Sequence, residues 1–311
     1  MGVNRASGYF DHEASQLIAK LWAKKIIANL FDTSPLTSIT NTNADNSGIK
    51  GTGSTVVFNK VPRITIRDQV KGGTTIWQNL ETESVELNIN KDKEFAFKLD
   101  DIDIFEANIP IMNQVQEGAA KDLDLAIVSD IINTVYVDAH AQNKGLTAGK
   151  NSNINLGVTG TPLALTKTNI LEVFIDLLQV AAEQSWPKDD NWWLLLPPVF
   201  SHMILKSDLK NASLTGDEQS IMLKRGGLGR FNRWNIFETN QYTTISDGGF
   251  NCFNILFGHM DAVCFQSQIV DLTYFDKFEN TRGKGMRGNN VYGYKVLDGK
   301  KLGLLYCRPS A

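Results

Sequence analysis

The sequence predicts an α+β fold in which a strand-rich region, a long helix and a second strand-rich region follow one another. Three observations carry this. β-Branched and aromatic residues crowd into short runs between about Gly51 and Leu99. Apolar residues then recur at three- and four-residue steps from Ile104 to Ala139, and the last third, Trp234–Cys307, returns to strand-like runs. A period that switches from two to about 3.6 and back is the pattern of segregated strands and helices.

The bulk numbers narrow the function classes. At 311 residues, with 42% hydrophobic and 21% charged residues, the chain is an ordinary globular one, able to bury a sizeable core. Its net charge of −3, from 31 basic and 34 acidic residues, excludes a general basic bias toward nucleic acid, while local contact stays open. Cys252, Cys264 and Cys307 form no C-x-x-C pair, and an odd count argues against a disulfide framework and for a reducing cytoplasm. Cys264, inside the apolar run Ala262–Phe265, reads as a small buried hydrophobe. His12, His140, His202 and His259 lie far apart, without a second ligand at metal spacing. The opening residues MGVNRASGYFDHEASQ lack the apolar core of a signal peptide. No run approaches the roughly 20 apolar residues of a membrane span.

The elements follow in order. Residues 14–31 form an amphipathic pattern, with Ala14, Leu17, Ile18, Leu21 and Trp22 on one side and Lys20, Lys24 and Lys25 on the other. The polar stretch Ser34–Gly53 reads as a linker or long loop, so the first helix is either a tethered arm or an ordinary helix with a long connection. STVVFNKVPRITIRDQV predicts a strand, with Pro62 marking an edge, and Lys71-Gly72-Gly73 a turn. TTIWQNL and SVELNINKDKEFAFKL return as β-rich segments. The whole is a long hairpin-like excursion with polar tips. A two-stranded ribbon of that length is marginal alone in water, and a neighbouring subunit is the natural cover.

Met112, Val115, Ala119, Leu123, Ile127, Ile131 and Val135 then line one unusually long helix, with Pro110 near its start. A loop over Asn143–Gly160 leads to a helix over Lys167–Gln184, a buried strand Trp193–Leu196 ended by Pro197-Pro198, and a helix Val199–Lys206. A glycine-rich loop, Ser213–Gly229, precedes the strands RWNIFET, FNILFGHMDAVCFQ, IVDLTYFDKF, NNVYGYKVL and KLGLLYC.

Candidate chemistry concentrates at Asp100, Asp101, Asp103 and Glu106. A calcium loop fails here, because Phe105 and Glu106 stand where a ligand and a glycine belong. No His, Lys or nucleophile is placed to work with these acids. An aspartate cap with further acids in the first turn accounts for the cluster as a helix start, against the alternative of a metal-dependent hydrolase on Asp100, Asp101 and Asp103. KRGGLGRFNR lacks phosphate-loop spacing and reads as an exposed loop between subunits. Trp192 and Trp193 read as core. Lys20, Lys24 and Lys25 read as a solvated face before a contact with DNA or a scaffolding protein. No residue is assigned a catalytic, cofactor or metal role.

Five segments, in this order, carry a resemblance: GSTVVFNKVPRITIRD, LNINKDKEFAFKLDDID, WWLLLPP, GFNCFNILFGHMDAV and MRGNNVYGYKVL. The chain resembles the major capsid proteins of tailed double-stranded DNA bacteriophages, with the HK97-type fold, and looks nearest to the P22-coat-like branch. The resemblance implies an N-arm over 1–49, an extended E-loop with its strands over 50–94, and a P-domain strand with spine helix over 95–141. An A-domain over 142–246 and closing strands over 247–311 complete it. It also implies pentamers and hexamers of one chain in an icosahedral virion shell assembled in host cytoplasm. Scaffolding, portal and decoration proteins would be further partners, with packaged DNA touched non-specifically. A nanocompartment shell of the encapsulin kind is the alternative on the same fold. Lys60 and Lys71 fall in the hairpin, where some members carry a crosslinking lysine, and are read here as solvated.

Overall fold

The computed structural model describes residues 34–41, 55–62, 64–69, 71–99, 111–207, 229–275, 278 and 283–310. In chain order the elements are α1 (Leu36–Ile39), β1 (Thr55–Lys60), β2 (Glu83–Asn88), β3 (Lys91–Leu99) and the long α2 (Ile111–Val135). There follow β4 (Leu163–Leu165), α3 (Ile170–Glu183), β5 (Trp192–Leu196), α4 (Pro198–Lys206), β6 (Arg230–Phe231), β7 (Trp234–Glu238) and β8 (Ile245–Asp247). β9 (Phe250–His259), β10 (Val263–Phe275), β11 (Lys284–Val296) and β12 (Leu302–Pro309) close the chain.

The run WWLLL organises the body. Successive strand side chains point to opposite faces, so five apolar residues in a row need cover on both sides. Trp192, Leu194 and Leu196 enter one core with Phe174, Leu177, Phe200, Trp234 and Phe257. Trp193 and Leu195 enter another with Ile127, Ile131, Val135, Leu256 and Leu302. β5 is thus the middle of a mixed sheet ordered β4-β12-β9-β5-β7-β6, with β8 on β9. Helices α3 and α4 supply the first core, and α2 with α1 the second. On the first side Trp186, Trp192 and Trp234 meet edge-on or tilted, their ring centroids 5.4–6.2 Å apart. Tyr242 enters the sheet itself: its hydroxyl donates to Leu195 O at 2.9 Å and accepts from Leu256 N at 3.2 Å. Burial pushes that phenol's pKa up, so it stays a donor.

A second sheet, β10-β11-β3, is antiparallel throughout. The chain passes between the two sheets twice. Residues 260–262 make a tight turn between β9 and β10, and 297–301 lead from β11 to β12. The two crossovers lie side by side, Leu297 N–H donating to Ala262 O at 2.8 Å. β1 and β2 form a separate two-stranded ribbon.

The structure revises four expectations. Ser34–Gly53 was read as linker, yet residues 34–41 dock on the body: Leu36 and Ile39 are buried, and Asn41 N–H donates to Val263 O at 2.8 Å. Two apolar anchors in a polar stretch suffice to pin it. Among the described residues of STVVFNKVPRITIRDQV only Thr55–Lys60 pair, because Pro62 has no N–H to extend the ladder. TTIWQNL joins no ladder among the described residues. FNILFGHMDAVCFQ is two strands rather than one, split by the turn at 260–262. The amphipathic pattern 14–31, the long helix's expected start before Ile111 and most of the loop Ser213–Gly229 lie outside the described residues.

Since Leu194 and Leu195 are both fully buried but in different cores, Leu194→Ala and Leu195→Ala should each cost about 3 kcal/mol. Equilibrium denaturation of the two variants checks this, and a negligible loss for either would mean that one face of β5 is not packed.

Candidate assembly surface

The ribbon and its extension form an arm over residues 55–90. β1 and β2 pair antiparallel from Thr55↔Asn88 to Lys60↔Glu83. Alternation gives the ribbon one apolar face at its base, where Leu87 and Ile89 are buried with Cys264, and Val56, Phe58, Val291 and Leu297 pack around them. Here the arm crosses β11 at backbone contact. A Cβ on Gly293 would come within 2.3 Å of Asn88 O and 2.9 Å of Ile89 Cα, so only glycine fits that position.

A polar joint then fixes the arm's root. Lys91, first residue of β3, donates from Nζ to Asp130 Oδ2 on α2 at 2.7 Å and to the Tyr294 hydroxyl at 2.6 Å. Tyr292 donates to the same Asp130 oxygen at 2.9 Å, and the Lys91 ammonium lies 4.4 Å from the Tyr294 ring centroid. Three elements, β3, α2 and β11, meet in one charge-assisted network. Partial burial works against both charges, but the hydrogen bonds outweigh it: Lys91 is raised above its ordinary pKa and Asp130 lowered below its own.

Past Lys60 the arm leaves its own body. From Val61 to Thr82 every described residue but Pro62 is exposed, and the described part forms no strand. Thr65 N–H donates to Gln78 Oε1, and Gln69 Nε2 to Gly73 O, both at 2.9 Å. Gly72, at φ +83°, makes the turn at the tip. The residues around that turn, Asp68, Gln69, Lys71, Thr74 and Thr75, are polar and exposed, as the sequence predicts. Along the two flanks, however, Val61, Ile64, Ile66, Ile76, Trp77 and Leu80 stand in water, Ile66 at 94% and Trp77 at 88% exposure. Single exposed aliphatics are commonplace, but six large ones on one projecting segment mark a surface meant to be covered.

The other candidate residues sort simply. Asp100, Asp101, Asp103 and Glu106 lie outside the described residues, as do His12, Lys20, Lys24 and Lys25. Among the described residues no three His, Cys, Asp or Glu side chains gather as a metal site. From KRGGLGRFNR, Arg230 pairs with Asp190, and Arg233 lies over the Trp192 ring at 5.7 Å. Trp192, Trp193 and all three cysteines are buried. Lys60 and Lys71 are exposed. His140 and His259 each accept a backbone N–H two residues on, at Nδ1. The Lys91–Asp130–Tyr292–Tyr294 joint escaped the sequence reading. Its one signal was a lysine on the inward face of a strand, in step with Phe95 and Phe97.

No family model matches the chain, and no curated protein matches it. Solved structures do. A chain of Mycobacterium phage Che8 is 19% identical over 95% of this chain and 98% of that one, with a TM-score of 0.68. The capsid structure of the cyanophage P-SCSP1u gives 13% identity, 97% and 96% coverage and a TM-score of 0.67. The capsid of a native GTA particle gives 12% identity, full coverage of both chains and a TM-score of 0.63. At these identities the likeness is one of fold: the chain has the HK97-like fold of phage capsid structures.

The joint makes a prediction with a definite sign. Asp130, depressed, contributes stability in full above its unfolded pKa near 4 and loses it as pH falls through the lower folded value. Lys91, raised, contributes in full below about 10.5 and loses it as pH rises through the higher folded value. Asp130→Asn should therefore cost about 1–2 kcal/mol across the middle of the pH range, a figure discounted for the exposure of Lys91. The loss should shrink toward both extremes in denaturation curves taken against pH.

Proposed function

We propose that the chain is the major capsid protein of a tailed double-stranded DNA phage, a shell subunit with no catalytic task. Copies assemble into pentamers and hexamers of an icosahedral head. The observation that carries this reading is the conjunction of a capsid fold with an arm whose apolar side chains face water in the single chain. A shell subunit has to reach its siblings, and an arm anchored at its root but uncovered along its length does so. Each docked arm would bury Ile64, Ile66, Ile76 and Trp77 against a neighbouring copy and give its unpaired backbone groups partners. Weak contacts of this kind, repeated around closed rings, make a shell that is stable only as a whole.

In this reading, scaffolding, portal and decoration proteins are further partners, and DNA is enclosed through non-specific contact. Assembly belongs to the host cytoplasm and the product to the virion. Among the described residues no helix is long and apolar enough to cross a membrane. The implied division into N-arm 1–49, E-loop 50–94, P-domain 95–141, A-domain 142–246 and closing strands 247–311 stands as part of the proposal. The docked segment 34–41 would then be the fixed end of the N-arm.

Trp77→Ala and Ile66→Asp test the reading, since neither side chain packs on its own subunit. Each should leave the melting of the isolated subunit unchanged. Losing an aromatic anchor worth about 2 kcal/mol per contact should raise the concentration needed for shell formation at least about 30-fold. Sedimentation and electron microscopy would read this, and shells forming at wild-type concentrations would sink the proposal.

A further inference from the structure

The place where the chain crosses between its two sheets is built around one histidine. His259 ends β9, is 1% exposed, and faces Trp192 in the register of β5. Among the described residues it is the only buried histidine, lysine, arginine or carboxylate. Its ring reaches two other segments and, through Asp261, two more. Nε2 lies 2.9 and 3.0 Å from the two oxygens of Asp189, on the loop leading into β5. Nδ1 accepts the backbone N–H of Asp261 at 3.1 Å, which caps the crossover turn 260–262. The Asp261 carboxylate is itself 3.4 Å from Nδ1 and 3.6 Å from the Lys301 ammonium on the second crossover, and it accepts from Asn41 Nδ2 at 3.4 Å. The ionisable groups that face the ring are thus Asp189 and Asp261, with Lys301 beyond Asp261.

The hydrogen bonds fix the proton. An Nδ1 that accepts an N–H carries no hydrogen, so the ring is neutral with its proton on Nε2, donated to Asp189. We propose that His259 is a proton-operated latch on the two crossovers between the sheets. A second proton has only Nδ1 to go to. There it repels the Asp261 N–H, which loses its acceptor, and it turns Nδ1 into a donor toward the Asp261 carboxylate. That carboxylate is then drawn from Lys301 and Asn41 toward the imidazolium. Protonation of Nδ1 therefore uncaps the turn 260–262 and loosens its tie to 297–301 and to the docked segment 34–41. The two sheets gain freedom at their shared corner while the cores on either side stay packed. This inference stands apart from the assembly reading and applies to a single subunit.

Two measurements on the purified full chain test it. Nitrogen-15 shifts of the His259 ring, followed as pH is lowered, should show Nδ1 bare while the turn is capped and both nitrogens protonated over the interval in which the cap is lost. Hydrogen exchange, corrected for intrinsic rates, should show Asp261 and Leu297 amides losing at least about ten-fold more protection over that interval in wild type than in His259→Gln. Asp189→Asn, which keeps a neutral acceptor for Nε2–H, should shift the loss to more acid pH and serves if the glutamine variant does not fold. A ring whose Nδ1 stays bare while the Asp261 and Leu297 amides lose protection, or equal protection loss in wild type and His259→Gln, would overturn the proposal.

Discussion

Backbone N–H and C=O groups must find partners or remain in water, and this one requirement shapes the molecule. Over Val61–Thr82 the twenty described residues join no ladder of their own body, and isoleucines and a tryptophan among them are turned outward. Water satisfies the backbone there but not the side chains. A segment that apolar gains nothing by projecting unless a surface elsewhere receives it. A sibling molecule is the one partner always present at matching concentration.

The body is arranged to hold such an arm steady. β5 divides two cores, so the mixed sheet is covered on both faces and has no need of the arm for its own stability. The arm's root is tied twice. A backbone-to-backbone contact at Gly293 sets its height over β11, and the Lys91 network sets its direction relative to α2. The same body joins its two inter-sheet crossovers at one corner, through His259, Asp261 and Lys301. Packed cores, with a fixed root beneath an uncovered arm, suit the shell subunit proposed above.

Much of this could be read from the chain because the decisive patterns were local. Trp193–Leu196 announced a short buried strand, the spacing Ile127, Ile131, Val135 announced the packed half of α2, and Pro197-Pro198 ended β5 where the structure ends it. What escaped was non-local. Lys91 finds Asp130 at 39 residues' distance, and Tyr292 finds it at 162, separations that no periodicity encodes. The β-branched run Ile64-Thr65-Ile66 correctly specifies extended backbone, but whether an extended segment has a ladder partner depends on the rest of the fold. Leu36 and Ile39 were hidden by their polar surroundings, since two buried side chains make no pattern. The acid cluster Asp100, Asp101 and Asp103 falls outside the described residues, and its reading as a helix start rests on the sequence alone.

The most direct test of the central claim is residue-resolved hydrogen exchange over 61–82, compared between free subunits and assembled particles. The account predicts near-intrinsic exchange in the free subunit and strong protection in the particle, with β5 and β9 protected in both. Protection of 61–82 in a lone subunit, equal to that in a particle, would mean that the arm folds onto its own body and would contradict the account.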